Sequence, residues 1–218
     1  MARSKKNATS VASSEKQIYD LKQLLEISKS LNSVLDFSTL IEAILYTCMG
    51  QMKTLGVAIF TKKNFDASCF TLNRNYYGFE LDNQFEYTIP EDHPMITLLN
   101  QQNACFTIPE IRKHMEPDRP LEGLFALHPS LIVPLKAKNH ISGLLVLGEQ
   151  ITSEPYSEYE KEHIMNIASL AAIAINNAAL IEMTTTDMMT HLKLKHYFYT
   201  ILVEKLEICE PQKIPLSV

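Results

Sequence analysis

The stretch Tyr156–Met183, YSEYEKEHIMNIASLAAIAINNAALIEM, limits the possible folds more than any other part of the chain, because it carries one unbroken period over its whole length. At helical spacing Ile164, Ile167, Ala171, Ala174, Ala178 and Ile181 recur at alternating steps of three and four, the pattern of a coiled-coil seam. Ala168, Ala172, Ile175 and Ala179 add a second apolar stripe, and Leu170 and Ile173 widen the first. Only a narrow polar strip of Glu162, Ser169 and Asn176 remains. A helix apolar over most of its circumference has to be covered on two sides. A sheet of its own domain can cover one side, and a partner helix is expected on the other. Ser157 and Glu160 fit the capping box that starts such a helix.

The 218 residues allow one ordinary domain with extensions, and 46% hydrophobic residues are enough for a real core. A net charge of -5 supplies no basic field, so nucleic acid and anionic lipid are disfavoured as partners. The amino-terminal MARSKKNATSVASSEK lacks the apolar core of a signal peptide, and no apolar run is read as reaching a membrane span of roughly 18 residues. A cytoplasmic protein without membrane contact is therefore expected. Cys48, Cys69, Cys105 and Cys209 lie far apart without a C-x-x-C pair, so neither a disulfide framework nor a metal site is indicated.

Residues 1–14 have too few apolar side chains to offset ordering entropy and are expected to be a disordered lead-in. From Glu15 an amphipathic helix follows, with Ile18, Leu21 and Leu25 on one line and Leu24, Ile27, Leu31 and Val34 on another. The second line steps three, four, three and is a further coiled-coil candidate. Asp36 is placed to cap the next helix, which Gly56 ends. VAIFTKKN and SCFTLNRNYYGF then read as a hairpin turning at Lys63-Asn64-Phe65-Asp66, with a third strand at Phe85 to Ile89. His93-Pro94 opens a short helix, Ala104 to Ile108 is extended, Pro109 to Met115 is a helical turn or two, and Glu116 to His128 is a loop. SLIVPLKA and HISGLLVLG form a last hairpin, in which Gly143 marks a bulge or a close backbone approach. This order predicts an α+β fold, an antiparallel sheet with flanking helices and a long carboxyl-terminal helix.

Leu131-Ile132-Val133-Pro134-Leu135, then Gly143-Leu144-Leu145-Val146-Leu147-Gly148, then Tyr156-Ser157 and Leu170 to Ala178, in that order and spacing, resemble a GAF sensor domain over residues 15–183. The resemblance implies a homodimer bundled through its first and last helices. Leu24, Ile27 and Leu31 with Ile167, Ala171, Ala174, Ala178 and Ile181 would then form the interface. It also implies a small-molecule effector held between the sheet and the segment from His93 to His128, with cyclic nucleotides the best-known ligands. Cyclic-nucleotide-binding relatives carry an Asn-Lys pair after the last strand, whereas this chain has Gly148-Glu149-Gln150 there. No motif calls for a cofactor or a metal.

Beyond Met183 the composition shifts to threonine, methionine and aromatic residues. Asp187, Thr190, Leu192 and Phe198 resemble the opening of GGDEF domains, the diguanylate cyclases, and Pro215-Leu216-Ser217-Val218 resembles the start of that family's first strand. His191, Leu194, Lys195 and His196 depart from the pattern. Residues 184–218 are therefore expected to be a linker and the start of a truncated GGDEF domain, with Phe198, Ile201, Leu202 and Leu206 poorly covered. Cyclising GTP requires carboxylate-held metal ions and the family's Gly-Gly-acidic turn. Neither is found in these residues, so the chain is expected to be no enzyme while its full-length parent is a diguanylate cyclase.

Tyr76, Phe85, His93, Thr97, Cys105, Phe106, Phe125, His128 and Ser130 are the expected ligand contacts, since aromatic walls with a few polar groups suit a small-molecule site. Each also has a structural alternative. His93 can simply cap a helix, and Tyr76 and Tyr77 point to opposite faces of a strand. Cys69 and Cys105 would admit thiol chemistry, as in some GAF proteins, but neither has a basic neighbour in sequence to activate it. The resulting expectation is a sensory module controlling a downstream GGDEF domain, with a ligand-free dimerisation scaffold and a thiol-dependent enzyme as rivals.

Overall fold

Aspartate 36 separates two helices, α1 (Ala2–Ser33) and α2 (Phe37–Met52). Its extended backbone and its Oδ1, which accepts from the backbone N–H of Thr39 at 2.8 Å and from the Thr39 hydroxyl at 2.6 Å, make it the cap of α2. The computed structural model describes residues 2–62, 67–114, 121–187, 190 and 192–216, with side chains from residue 15 onward except that of 212. The expected turn at 63–66 lies outside the described residues. Helix α1 starts at Ala2, not at Glu15 after a disordered lead-in. No Gly or Pro occurs before Gly50, so no residue of low helix propensity interrupts α1.

Five antiparallel strands follow, β1 (Val57–Thr61), β2 (Cys69–Tyr77), β3 (Thr88–Pro90), β4 (Leu131–Ala137) and β5 (His140–Leu147), in the order β3-β2-β1-β5-β4. Three short helices, α3 (Pro94–Gln102), α4 (Ile108–His114) and α5 (Glu122–Ala126), lie between β3 and β4. Helix α5 occupies part of the expected loop 116–128, because Leu121, Leu124 and Leu127 give it an apolar side to bury. Central strand β1 is buried on both faces. Its Ala58 and Phe60 join Phe70, Met95, Leu99, Phe106, Leu124 and Val146 in an inner cluster between the sheet and α3 to α5. Burying Phe60 or Phe70 completely contributes about 2–3 kcal/mol. Helix α2 packs on β1 and β2 with Leu40, Ile41, Ile44, Leu45, Cys48 and Met52, none of which belongs to that cluster, and so covers the other, outer face.

Gly143 is both a close approach and part of a bulge. A Cβ there would lie 2.6 Å from the carbonyl oxygen of Phe60, and the β4–β5 register steps from Leu135↔Gly143 to Lys136↔Ile141, leaving Ser142 as the extra residue.

The long helix α6 (Glu158–Thr185) begins with the expected capping box: the Ser157 backbone N–H donates to Glu160 Oε2 at 2.8 Å, and the Glu160 N–H donates to Ser157 Oγ at 3.3 Å. Its seam is not free for a partner. Ile167, Ala171, Ala174 and Ala178 are 0–3% exposed in the single chain, and so is Leu31 of α1, while Leu24, Ile27 and Ile181 are half-buried. The expected dimer contacts are thus largely spent within the chain, because a stripe regular enough for a coiled coil is equally suited to a domain core. The apolar faces left outside are Ile18, Leu21 and Leu25 on α1, 53 to 65% exposed, and Ile173 and Leu180 on α6. A second expectation also changes: α6 is long and apolar enough to cross a membrane by length and composition, since residues 164–181 carry no charge. Burial of Ile164, Ile167, Ala168, Ala171 and Ala172 makes it a core helix of the domain.

The chain divides into two compact units, Met1–Asn176 and Asn177–Val218. In the second, Asp187 Oδ1 accepts from the N–H and hydroxyl of Thr190, and the Leu194 N–H donates to the Thr185 carbonyl ahead of α7 (Lys195–Gln212). No described side chain of α7 is buried; Phe198 and Leu206 are exposed and Ile201 and Leu202 half-buried.

Candidate functional site

Aromatic and acidic residues alternate along the β2–β3 connection, GFELDNQFEY, and this loop with α5 shapes two neighbouring clefts in the first unit. The loop is held by Tyr87, whose hydroxyl accepts from the Asp82 N–H at 2.8 Å, and by Asp82 Oδ1, which accepts from the Gln84 N–H at 2.9 Å. Gly123 brings α5 against it, because a Cβ at that position would sit 2.4 Å from the Glu86 carbonyl oxygen. The first cleft, about 730 Å³, runs from Gly78 to Gln84 and across to Ala126, Leu127 and His128. The second, about 720 Å³, is lined by Phe85, Glu86, Asp92, His93, Leu121 and Glu122 among others.

The structure distributes the nine expected contact residues unevenly. Phe85 and His93 line the second cleft and His128 the first. His93 is also the cap of α3: its ring is buried and Nδ1 accepts from the Met95 N–H at 3.2 Å. His128 is exposed with φ +47°. Tyr76 and Phe125 pack half-buried against the inner cluster, and Arg112 lies 5.1 Å over the Phe125 ring. Phe106 is inside that cluster, with its backbone bridged to Ile132. Thr97 is exposed on α3, and Ser130 donates its N–H to the Leu147 carbonyl at the entry to β4. Tyr77 points the other way from Tyr76, its ring 4.9 Å from Tyr46 of α2.

Cys105 faces α6, its thiol 3.9 Å from the Lys161 carbonyl oxygen. Burial pushes this thiol up to about 11, against a smaller opposite pull from Lys161, which leaves less thiolate at neutral pH than an ordinary cysteine has. Cys48 is pushed to about 12 by complete burial. The residues that sequence reasoning missed are the carboxylates Glu80, Asp82, Glu86, Asp92 and Glu122 in the cleft linings. The interleaving of acids with Phe79, Phe85 and Tyr87 was the signal available for them.

No family model matches the chain. The chain is 58% identical over 203 residues to Diguanylate cyclase A of Treponema denticola, a match covering 93% of this chain and 55% of the relative, so the chain spans about half of that protein's length. Among solved structures, the GAF domain of a phosphoenolpyruvate-protein phosphotransferase from Coxiella burnetii superposes with a TM-score of 0.53 at 16% identity, covering 74% of this chain and 95% of that one. A GAF domain/HD domain protein from Geobacter sulfurreducens gives 0.52 at 17% identity, covering 69% and 98%. Identities this low speak for the fold alone, whereas the sequence match speaks for common descent. The chain has a GAF fold and is a relative of a diguanylate cyclase.

Proposed function

We propose that this chain is the regulatory GAF module of a diguanylate cyclase, sensing a small molecule in the cytoplasm and passing its state to a GGDEF domain through α6. The 58% identity to Diguanylate cyclase A over nearly the whole chain is the observation that carries this reading. The chain itself does no cyclase chemistry, since none of its 6 glycines are adjacent and the Gly-Gly-acidic turn cannot be built from it. The ligand sits at the clefts between the β2–β3 connection and α5, and the carboxylates there favour a neutral or cationic molecule over an anionic cyclic nucleotide. The module pairs with a second copy through the outward faces of α1 and α6, where Ile18, Leu21, Leu25 and Ile173 remain exposed.

Thermal unfolding with a panel of amines, amino acids, sugars and cyclic nucleotides tests the ligand. One compound at a hundredfold excess over its Kd should raise the midpoint by about 5–10 °C. Replacing Glu122 by Lys should abolish the rise for a cationic ligand while leaving the unliganded midpoint in place. A second reading, a ligand-free dimerisation scaffold, is favoured by the filled inner cluster, where Phe60, Phe70, Phe106 and Leu99 occupy the space between sheet and helices. A midpoint that no compound moves, in a protein that still dimerises, supports the scaffold instead.

A further inference from the structure

Helix α6 is held by two different kinds of contact in the first unit. Long polar side chains pin its first two turns. Gln150 Nε2 donates to Glu160 Oε1 at 2.8 Å, the Tyr159 hydroxyl donates to Asp20 Oδ2 at 2.7 Å, and His163 Nε2 lies 3.1 Å from Gln51 Oε1. Past Ile167 the buried face is Ala168, Ala171, Ala172, Ala174, Ile175 and Ala178, so Ile175 is the one large side chain there that can fix rotation by interdigitation. Here the Ser142 hydroxyl donates to Asn176 Oδ1 at 3.0 Å, about 20 Å along the axis from His163 by helical rise.

Ser142 occupies a special place, since it is the extra residue of the β5 bulge. On either side of it, Ile141 and Leu144 belong to the inner cluster with α3 to α5, while the serine reaches α6. Gly143 next to it is pressed against the Phe60 carbonyl, so the bulge cannot deform there without disturbing β1. Asn176 is the last residue of the first unit.

We propose that Ser142 and Asn176 form a latch through which packing on the inner face of the sheet sets how firmly α6 is held where it leaves the first unit. The purpose of the latch rests on the sensor reading; its existence does not. In the bulged register the hydroxyl reaches the amide oxygen. Closing the bulge, so that Ser142 rather than Ile141 pairs with Lys136, turns the Ser142 side chain to the other face and releases Asn176 without shifting β5 from Gly143 onward, because strand neighbours alternate. The contact is thus made or broken, and the helix end has two states.

Hydrogen–deuterium exchange on the whole chain tests this with Ser142→Ala, Asn176→Ala, the double variant and Ser142→Thr, which keeps the hydroxyl. Ala at either position should raise exchange across 168–183 about fivefold, the factor expected from one hydrogen bond of ordinary net worth, and leave 158–166 unchanged. The double variant should match the single ones, and Thr at 142 should match the wild type. Unchanged exchange across 168–183, additive effects in the double variant, or a rise spread evenly over all helices would each overturn the latch. No ligand enters the experiment, so a chain that binds nothing can still pass or fail it.

Discussion

Helices α6 and α7 are both long and both carry large apolar side chains, but α6 presents Ile164, Ile167, Ala171 and Ala174 to a packed interior while α7 leaves Phe198, Tyr199, Val203 and Leu206 exposed. The difference lies in how the apolar residues are matched. The stripe of α6 is small and continuous, which suits close packing within its domain. The larger side chains of α7 meet no such surface, and none of its described side chains is buried. An apolar period therefore shows that a helix face wants cover, without showing whether the same chain supplies it.

The largest expected effect breaks this comparison if it fails. Glu in place of Ala174 puts an unpaired charge into a site only 3% exposed, which costs several kcal/mol of a stability of about 5–15 kcal/mol. Glu in place of Leu206 should change stability by no more than about 0.5 kcal/mol. Urea unfolding of both variants measures the contrast, and similar midpoints would mean that the two helices are equally packed.

Helix α1 repeats the contrast between its own two faces. Leu31→Ala should destabilise by about 2–5 kcal/mol, since the side chain is fully buried, whereas Leu21→Ala should be nearly silent in the monomer. In the proposed dimer Leu21→Glu should instead shift the equilibrium toward monomer, because a dimer of roughly micromolar affinity has only about 8 kcal/mol of binding free energy. Sedimentation at one concentration reads this, and a variant as dimeric as wild type would remove the outward face of α1 from the interface.

Smaller effects belong to the start of α6. Ser157→Ala should cost about 1 kcal/mol through loss of the cap. Hydrogen bonds from Ser157 and Gln150 hold the Glu160 carboxyl below the ordinary carboxylate range. Its ionised form therefore stabilises the fold fully above the ordinary glutamate value of about 4.3, and this contribution is lost as pH falls through the lowered one. Glu160→Gln should accordingly be less stable than wild type at neutral pH, with the gap narrowing in acid. A gap that is constant with pH would show that the charge contributes nothing.

Most of the fold was legible because its signals are local. Asp36, His93 and Ser157 announce helix starts, Gly143 announces the bulge, and the short apolar runs of β1, β4 and β5 bounded by turn residues give the sheet. The candidate site was less so. Phe85, His93 and His128 line the clefts while Cys105, Phe106 and Thr97 do not, since which side of a connecting segment faces a cleft depends on tertiary packing. The same limit misplaced the dimer seam: Leu31 and Ala171 have the period of an interface, and only their burial assigns them to the core.

The most direct test of the regulatory reading is the rate of cyclic di-GMP synthesis by Diguanylate cyclase A in three forms: intact, with this chain in place of its matching segment, and with that segment removed. The exchanged protein should keep the rate of the intact one, removal should change it, and Ala174→Glu within the exchanged segment should mimic removal. Equal rates for the exchanged and truncated forms, whatever state the inserted module is in, would contradict the regulatory reading.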